Sequence, residues 1–309
     1  MSQARIRQNV LAHMRHDLDS QGSDWPGLIP LLVLHVAAIA IQPLLAPWSF
    51  MWTLAAAIFF GCKWQTWWEQ RNIPGATIGR SIGFLFAWPG MDAAGFLDPE
   101  KRAPRPEGKE WLWAIAKMSL GAALLWSVAR QVPATRELLA GWIGMLGIIL
   151  ILHFGTFHVL SLLWRSAGVD ARPIMQAPLS ATSLSDFWGR RWNLGFRQLT
   201  YRLIFQPVRS RSGVATATLL SFLASGVIHD LVISLPARGG YGLPTCYFAL
   251  QGLGVLFERS QPGKRLGLSS GIRGWLFAVI CAGAPAYLLF HPWFVRGVIL
   301  PFLTAIGTR

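Results

Sequence analysis

The chain has 309 residues, of which 53% are apolar and only 14% charged, and its mean hydropathy is +0.41. A soluble α/β domain is excluded, because it needs polar helix faces between buried strands and here Lys and Arg stand at the edges of apolar runs. The formal charge of +14 is scattered among connecting segments; with no basic tail and no nucleic-acid motif, it points to anionic lipid headgroups or an anionic substrate rather than nucleic acid.

In chain order, the first twenty-odd residues carry Arg5, Arg7, Arg15, Asp17 and Asp19. This tail, 1–25, is too polar for a cleaved signal peptide, so the first span is expected to insert uncleaved. Apolar runs of membrane-spanning character follow at 28–46, 47–63, 110–130, 138–163, 213–235, 240–257, 274–290 and 293–306. The fold class expected is therefore all-α, a single polytopic transmembrane domain over 1–309 with about eight spans. His291-Pro292 divides the last two runs, which read as one kinked passage or two tilted helices. Segment 73–96 is apolar but interrupted by Arg80, Pro89 and several glycines, which suits a re-entrant or interfacial piece. Gly141, Gly144 and Gly147 recur at three-residue spacing and predict close helix packing.

Many of the 16 tryptophans, among them Trp48, Trp64, Trp88, Trp111, Trp164 and Trp293, stand near expected span ends, where an amphipathic ring fits the membrane interface. Loop 97–109, segment 164–212 and loop 258–273 are rich in Arg and Lys. Segment 164–212 alone carries eight arginines against Asp170 and Asp186. By the positive-inside rule these three are expected on the cytoplasmic side, together with both termini. Cys62, Cys246 and Cys281 fall singly inside apolar runs, so neither a disulfide framework nor a thiolate metal site is expected.

Ionisable groups inside a bilayer are costly, and each is a candidate for function. His13, His16, His35 and His291 read as structural or interfacial. His153 and His158, five apart, turn to different helix faces; a di-iron site would need tighter histidine pairs, so both are expected to line a cavity or bond a neighbouring helix, and no metal is expected. His229 differs, because it stands late in an apolar run in "SGVIHDL" and is followed at once by Asp230. A neutral imidazole there can act as a general base, while the alternative is a helix-helix hydrogen bond.

Two motifs, "SLSDFWGRRWNLGFRQ" at 183–198 and "SGVIHDL" at 225–231, resemble the wax synthase-like branch of the membrane-bound O-acyltransferase superfamily. "LFAWPGMDA" at 85–93, "GLPTCYFALQGLGVLFE" at 242–258 and "LFHPWFVRGVILPFL" at 289–303 extend the resemblance, in order, from about Arg80 to the C terminus. The branch often has Glu after the histidine, where this chain has Asp230.

The resemblance implies acyl transfer from acyl-CoA, as co-substrate, to a lipophilic alcohol, with no other cofactor. It places His229 at the catalytic histidine and Asn193 at its polar partner. A thioester is already activated, so deprotonating the alcohol and holding the oxyanion are the main tasks. Arg190 and Arg191 are expected to meet the phosphates of CoA. Trp188 and Trp192, four apart, are expected on one helix face at the interface, and Asp230 beside the substrate. A run starting near Gly213 puts His229 about 24 Å along its helix, so Asn193 reaches it only if 183–208 folds into a cavity. The alternatives are transfer of a small acyl group to a hydroxylated metabolite, a proton-coupled transporter using His229 and Asp230, and an inactive scaffold. No inverted repeat supports the transporter.

Overall fold

The computed structural model describes residues 25–308, and among these every regular element is helical. The polar tail with Arg5, Arg7, Arg15, His13 and His16 lies outside the described residues. We number the main helices α1 (Trp25–Ala40), α2 (Pro47–Gln70), α3 (Ile78–Ala87), α4 (Ala93–Leu97), α5 (Gly108–Ala129), α6 (Ala134–Ser166), α7 (Leu194–Ala237), α8 (Leu243–Arg259), α9 (Gly271–Leu289) and α10 (Pro292–Ala305). Four of them, α5, α6, α7 and α9, are long and apolar enough to cross a membrane. The other four runs read as spans fall on α1, α2, α8 and α10. Large apolar side chains such as Leu32 and Val36 point outwards from α1, as they do where the surrounding medium is itself apolar.

Segment 73–96 forms α3 and the start of α4, joined by an extended turn at 88–92. Thr77 and Asp92 cap the two helices by accepting from Arg80 N and Gly95 N, and the Arg80 guanidinium donates to Phe96 O and Asp98 O at 3.1 and 2.8 Å. Phe84, Trp88 and Phe96 pack there against Val169, Ala171, Ile174 and Met175. This cluster is the floor on which the 174–198 stretch rests. A second cluster joins Met51, Leu125 and Met145 to Phe294, Val298 and Leu303 of α10. The glycine stripe serves it: Gly144 abuts Leu303, while Gly147 and Gly121 bring the backbones of α6 and α5 together. α10 starts after a break at which His291 Nδ1 accepts from Phe294 N at 3.1 Å.

α7 is not one straight rod. Gly213 has φ 81 and ψ 174, a combination open essentially to glycine alone. It divides α7 into a first limb, 194–212, and a second, 214–237. Arg202 on the first limb pairs with Glu69 of α2. The second limb packs against α8, where a Cβ on Gly226 would stand 2.6 Å from Thr245 Cα. Only a residue without a side chain permits that approach.

Candidate active site

Residues 183–193 run alongside α8, where Leu184 packs with Val255. Ser183 Oγ caps the short helix Leu184–Asp186 by accepting from Asp186 N at 3.0 Å. The buried Glu258 carboxylate accepts from Leu184 N at 2.6 Å and Ser185 N at 3.1 Å. Trp188 then donates to Gln251, at 3.2 Å, and its ring meets Phe248 at 5.7 Å. Gln251 lies seven residues before Glu258, about 10 Å along the helix, so the segment moves towards the start of α8 as it proceeds. Its helix ends at Arg191, and a short extended pairing follows, in which Gln176 N donates to Arg191 O at 2.8 Å and Leu194 N to Ile174 O at 2.9 Å.

That pairing presents Asn193. Its backbone is left-handed, with φ 43 and ψ 60, a region that Asn enters more readily than most side chains. Its N–H points at Met175 Sδ (3.3 Å), and its Oδ1 accepts from Phe196 N at 3.5 Å, capping the first turn of α7. The amide nitrogen is left for the cavity.

Asn193 and His229 are 36 residues apart, which would be about 54 Å along a straight helix. They nevertheless line one cavity of about 370 Å³. Its walls are Asn193, Arg197, Thr200, Tyr201 and Phe205 on the first limb of α7, Thr218, Ser221, Phe222, Ser225 and His229 on the second, and Phe248, Val255 and Arg259 on α8. The two limbs share it because the chain turns at Gly213. Along the second limb the wall runs 11 residues from Thr218 to His229, and along α8 another 11 from Phe248 to Arg259, each about 16 Å. The His229 and Phe248 rings lie 4.4 Å apart, which aligns the two ladders and makes the cavity elongated, with the histidine at one end and Arg259 towards the other.

The histidine's chemistry follows from one contact. His229 Nδ1 lies 2.6 Å from Ser225 O. A carbonyl oxygen only accepts, so Nδ1 carries the proton of the neutral ring and Nε2 keeps its lone pair. The site thus contains an oriented proton acceptor and, on the wall of the same cavity, an amide that can donate.

Trp188 and Trp192 both line the cavity, but not as one helix face. Trp192 stands just past the end of the Phe187–Arg191 π-helical turn, with φ −99 and ψ 124, and stacks on Phe187. Arg190 and Arg191 are absent from the wall. Both are held by Asp186, at 2.8 and 2.7 Å. Asp186 is buried; burial pushes its pKa up, yet the Arg191 hydrogen bond, the Thr182 N–H and the charges of Arg191 and Arg190 outweigh that and hold it below the usual carboxylate range. Asp230 also turns away, since successive side chains on a helix point about 100° apart. Its carboxylate accepts from Gly242 N (2.8 Å), Thr245 N (3.0 Å), Thr245 Oγ1 and Ser234 Oγ, and so caps the start of α8.

Sequence reasoning missed Arg197 and Arg259 on the cavity wall. Among the described residues neither has a carboxylate partner: Arg259 Nε donates to Ser185 Oγ at 3.0 Å, and the Arg197 guanidinium lies 5.5 Å from the Tyr201 ring. Thr218, Ser221 and Ser225 were missed as well. Their spacing up to His229 puts all four on one face of an apolar helix, a polar stripe that periodicity could have found.

Residues 171–250 match the model of the membrane bound O-acyl transferase family. The chain is 43% identical over 152 residues to the probable long-chain-alcohol O-fatty-acyltransferase 9 of Arabidopsis thaliana, covering 44% of this chain and 43% of that protein. It is 42% identical over 100 residues to the long-chain-alcohol O-fatty-acyltransferase of Simmondsia chinensis (29% and 28% covered), and 30% identical over 143 residues to the probable enzyme 6 of Arabidopsis thaliana (43% and 41%). The chain thus matches less than half the length of these curated relatives. The family match includes both Asn193 and His229.

Proposed function

We propose, from the premise that this chain is a wax synthase-like member of the membrane-bound O-acyltransferase superfamily, that it transfers an acyl group from acyl-CoA to the hydroxyl of a long-chain alcohol. The observation that carries the reading is one cavity bringing the free Nε2 of His229 together with Asn193. The alcohol O–H donates to Nε2, and as the proton passes to the ring the alcohol oxygen attacks the thioester carbonyl carbon. The Ser225 carbonyl on the opposite nitrogen steadies the positive ring that results. Charge gathers on the former carbonyl oxygen, towards which the Asn193 amide nitrogen donates. Collapse breaks the C–S bond, the sulfur leaves as thiolate, and the imidazolium returns the proton to it.

The same cavity suits the donor. Its length matches the pantetheine arm, whose chain of about a dozen atoms is as long as four or five extended residues, ~15 Å. Arg259 and Arg197 would meet the phosphates in preference to Arg190 and Arg191, a reading supported by the pairing of the latter two with Asp186. The acceptor class follows the relatives' names. In the membrane, the eight apolar helices α1, α2, α5–α10 would cross, with 73–96 re-entrant or interfacial and both termini and the Arg-rich connections cytoplasmic. A Ser210→Cys protein, with the three native cysteines replaced by alanine, should react with an impermeant thiol reagent only after the membrane is opened; labelling in intact cells would reverse that orientation.

The test of activity incubates detergent-purified protein with a panel of acyl-CoAs and alcohols, short and long, and follows ester formation with CoA release. Ester from long-chain pairs is expected. A folded protein that makes no ester from any pair would refute the assignment.

A further inference from the structure

α2 carries one side chain that apolar packing does not explain. Lys63 is fully buried, with 0% exposure. Its Nζ donates to Gly90 O at 2.6 Å and lies 3.0 Å from the centroid of the Phe84 ring. Among the described residues no carboxylate pairs with it. A buried amine with so few partners is costly, and a methionine would fill the same space with none of that cost.

The amine holds the 88–92 turn. Gly90 and Met91 in that turn lie against the start of α7: a Cβ on Gly195 would stand 3.3 Å from Met91 N and 3.5 Å from Gly90 Cα. Gly195 is two residues beyond Asn193, inside the helical turn that Asn193 caps. The left-handed backbone of a non-glycine residue is strained and persists where its surroundings impose it. On one side Ile174 O and Met175 Sδ do so. On the other stands the turn that Lys63 anchors.

We propose that Lys63 is a positioning residue for Asn193. By holding the Gly90 carbonyl it fixes the Gly90–Met91 backbone against Gly195, and so sets where the Asn193 amide enters the cavity. The inference rests on the acyl-transfer reading, in which Asn193 faces the developing oxyanion.

Lys63→Met removes the amine and keeps the length. Its kcat is expected to fall about 10–100-fold, the effect of a displacement of roughly 1 Å at a reacting group. KM for acyl-CoA and alcohol should stay within about threefold of wild type, since ground-state binding is untouched. The thermal midpoint should change little, because the relief of removing a buried amine offsets the Gly90 carbonyl left without its donor. The double variant Lys63→Met/Asn193→Ala should be no slower than Asn193→Ala alone, as for residues that act as a unit. Multiplying losses, a wild-type kcat in Lys63→Met, or a kcat loss that only tracks a lowered midpoint would each overturn the proposal. If Lys63→Met fails to fold, Gly195→Ala presses on the same contact from the other side, and additive losses with Asn193→Ala there count equally against it. A readout independent of turnover is amide exchange at residues 194–198, expected to quicken in Lys63→Met. Unchanged exchange refutes the role of Lys63 even if no ester is ever formed, whereas a wild-type protein without ester formation refutes the acyl-transfer reading alone.

Discussion

The two sides of the cavity are built in different ways. His229 is the last α-helical residue before the π-helical turn Asp230–Ser234, and the contact that fixes its tautomer comes from its own preceding turn, Ser225 O. Asn193 stands at a helix start reached through an extended pairing with Ile174 and Gln176, in a left-handed conformation, against a turn contributed by residues 88–92. One side is local and the other is assembled from segments distant in sequence. A change on the His229 side should therefore remove chemistry and spare the fold, while a change that unsettles the Asn193 side should act through geometry.

The largest effect is expected at His229. His229→Ala should lower ester formation on the order of 10²–10⁴-fold, the usual contribution of general acid-base catalysis, with extraction and thermal unfolding near wild type because few packing contacts are lost. Asn193→Ala should cost less, about 3 kcal/mol, within the range for loss of one oxyanion donor. If the larger loss fell on Asn193, the roles assigned to the two sides would be reversed. A well-folded His229→Ala protein with full turnover would remove the base altogether.

The same contrast governs what the sequence made legible. The runs at 110–130, 138–163 and 274–290 fall on α5, α6 and α9 because a long apolar stretch has one helical solution in lipid. His229 stood out because two ionisable residues interrupt such a stretch. Its neighbour Asp230 misled: adjacency in sequence suggested a shared site, whereas helix geometry turns the carboxylate to the start of α8. The turn at Gly213 was hidden, since a single glycine at the start of an apolar run looks like the beginning of a span. The arginines are hidden for another reason. Arg190, Arg191, Arg197 and Arg259 look alike as letters, and only tertiary structure reveals that the first two share the Asp186 carboxylate while the other two line the cavity.

Gly213 sharpens the comparison, because it brings the two sides to one cavity. There is open space around it, with nothing within 4 Å of an added Cβ, so Gly213→Ala tests backbone conformation alone. Forcing a side chain into that φ/ψ region costs of the order of 1–3 kcal/mol. The thermal midpoint and kcat should fall together. A Gly213→Ala protein with both unchanged would mean that the limbs of α7 do not depend on this turn.

The arginines come next in size. Arg259→Gln should raise KM for acyl-CoA roughly tenfold, since a hydrogen bond to a charged group contributes about 1.5–3 kcal/mol. The gap should narrow as salt screens the native contact. The corresponding rise for acyl-pantetheine, which has no phosphate head, should be much smaller. Arg190→Gln should alter KM little for either donor. Equal effects at Arg190 and Arg259 would erase the distinction between the pair held by Asp186 and the pair on the cavity wall.

The smallest effect concerns Asp186, which locks the arginine pair and the entry to the Asn193 side. Its carboxyl is held below the usual range, so its folded-state pKa is depressed and its contribution to stability is complete above the unfolded value, about pH 4. That contribution is lost as pH falls through the lower, folded value. Asp186→Asn, which cannot carry the charge, should lower the thermal midpoint at neutral pH by about 1–3 °C. The difference from wild type should be constant between pH 5 and pH 8 in rough terms, and it should close below the carboxylate range as wild type is protonated. Scanning unfolding in detergent across that series measures it. A gap that persisted in acid would show that Asp186 acts by shape and hydrogen bonding at Thr182 N rather than by its charge on Arg190 and Arg191. The two arginines would then be available for phosphate after all, and the line drawn between the two pairs would have to be moved.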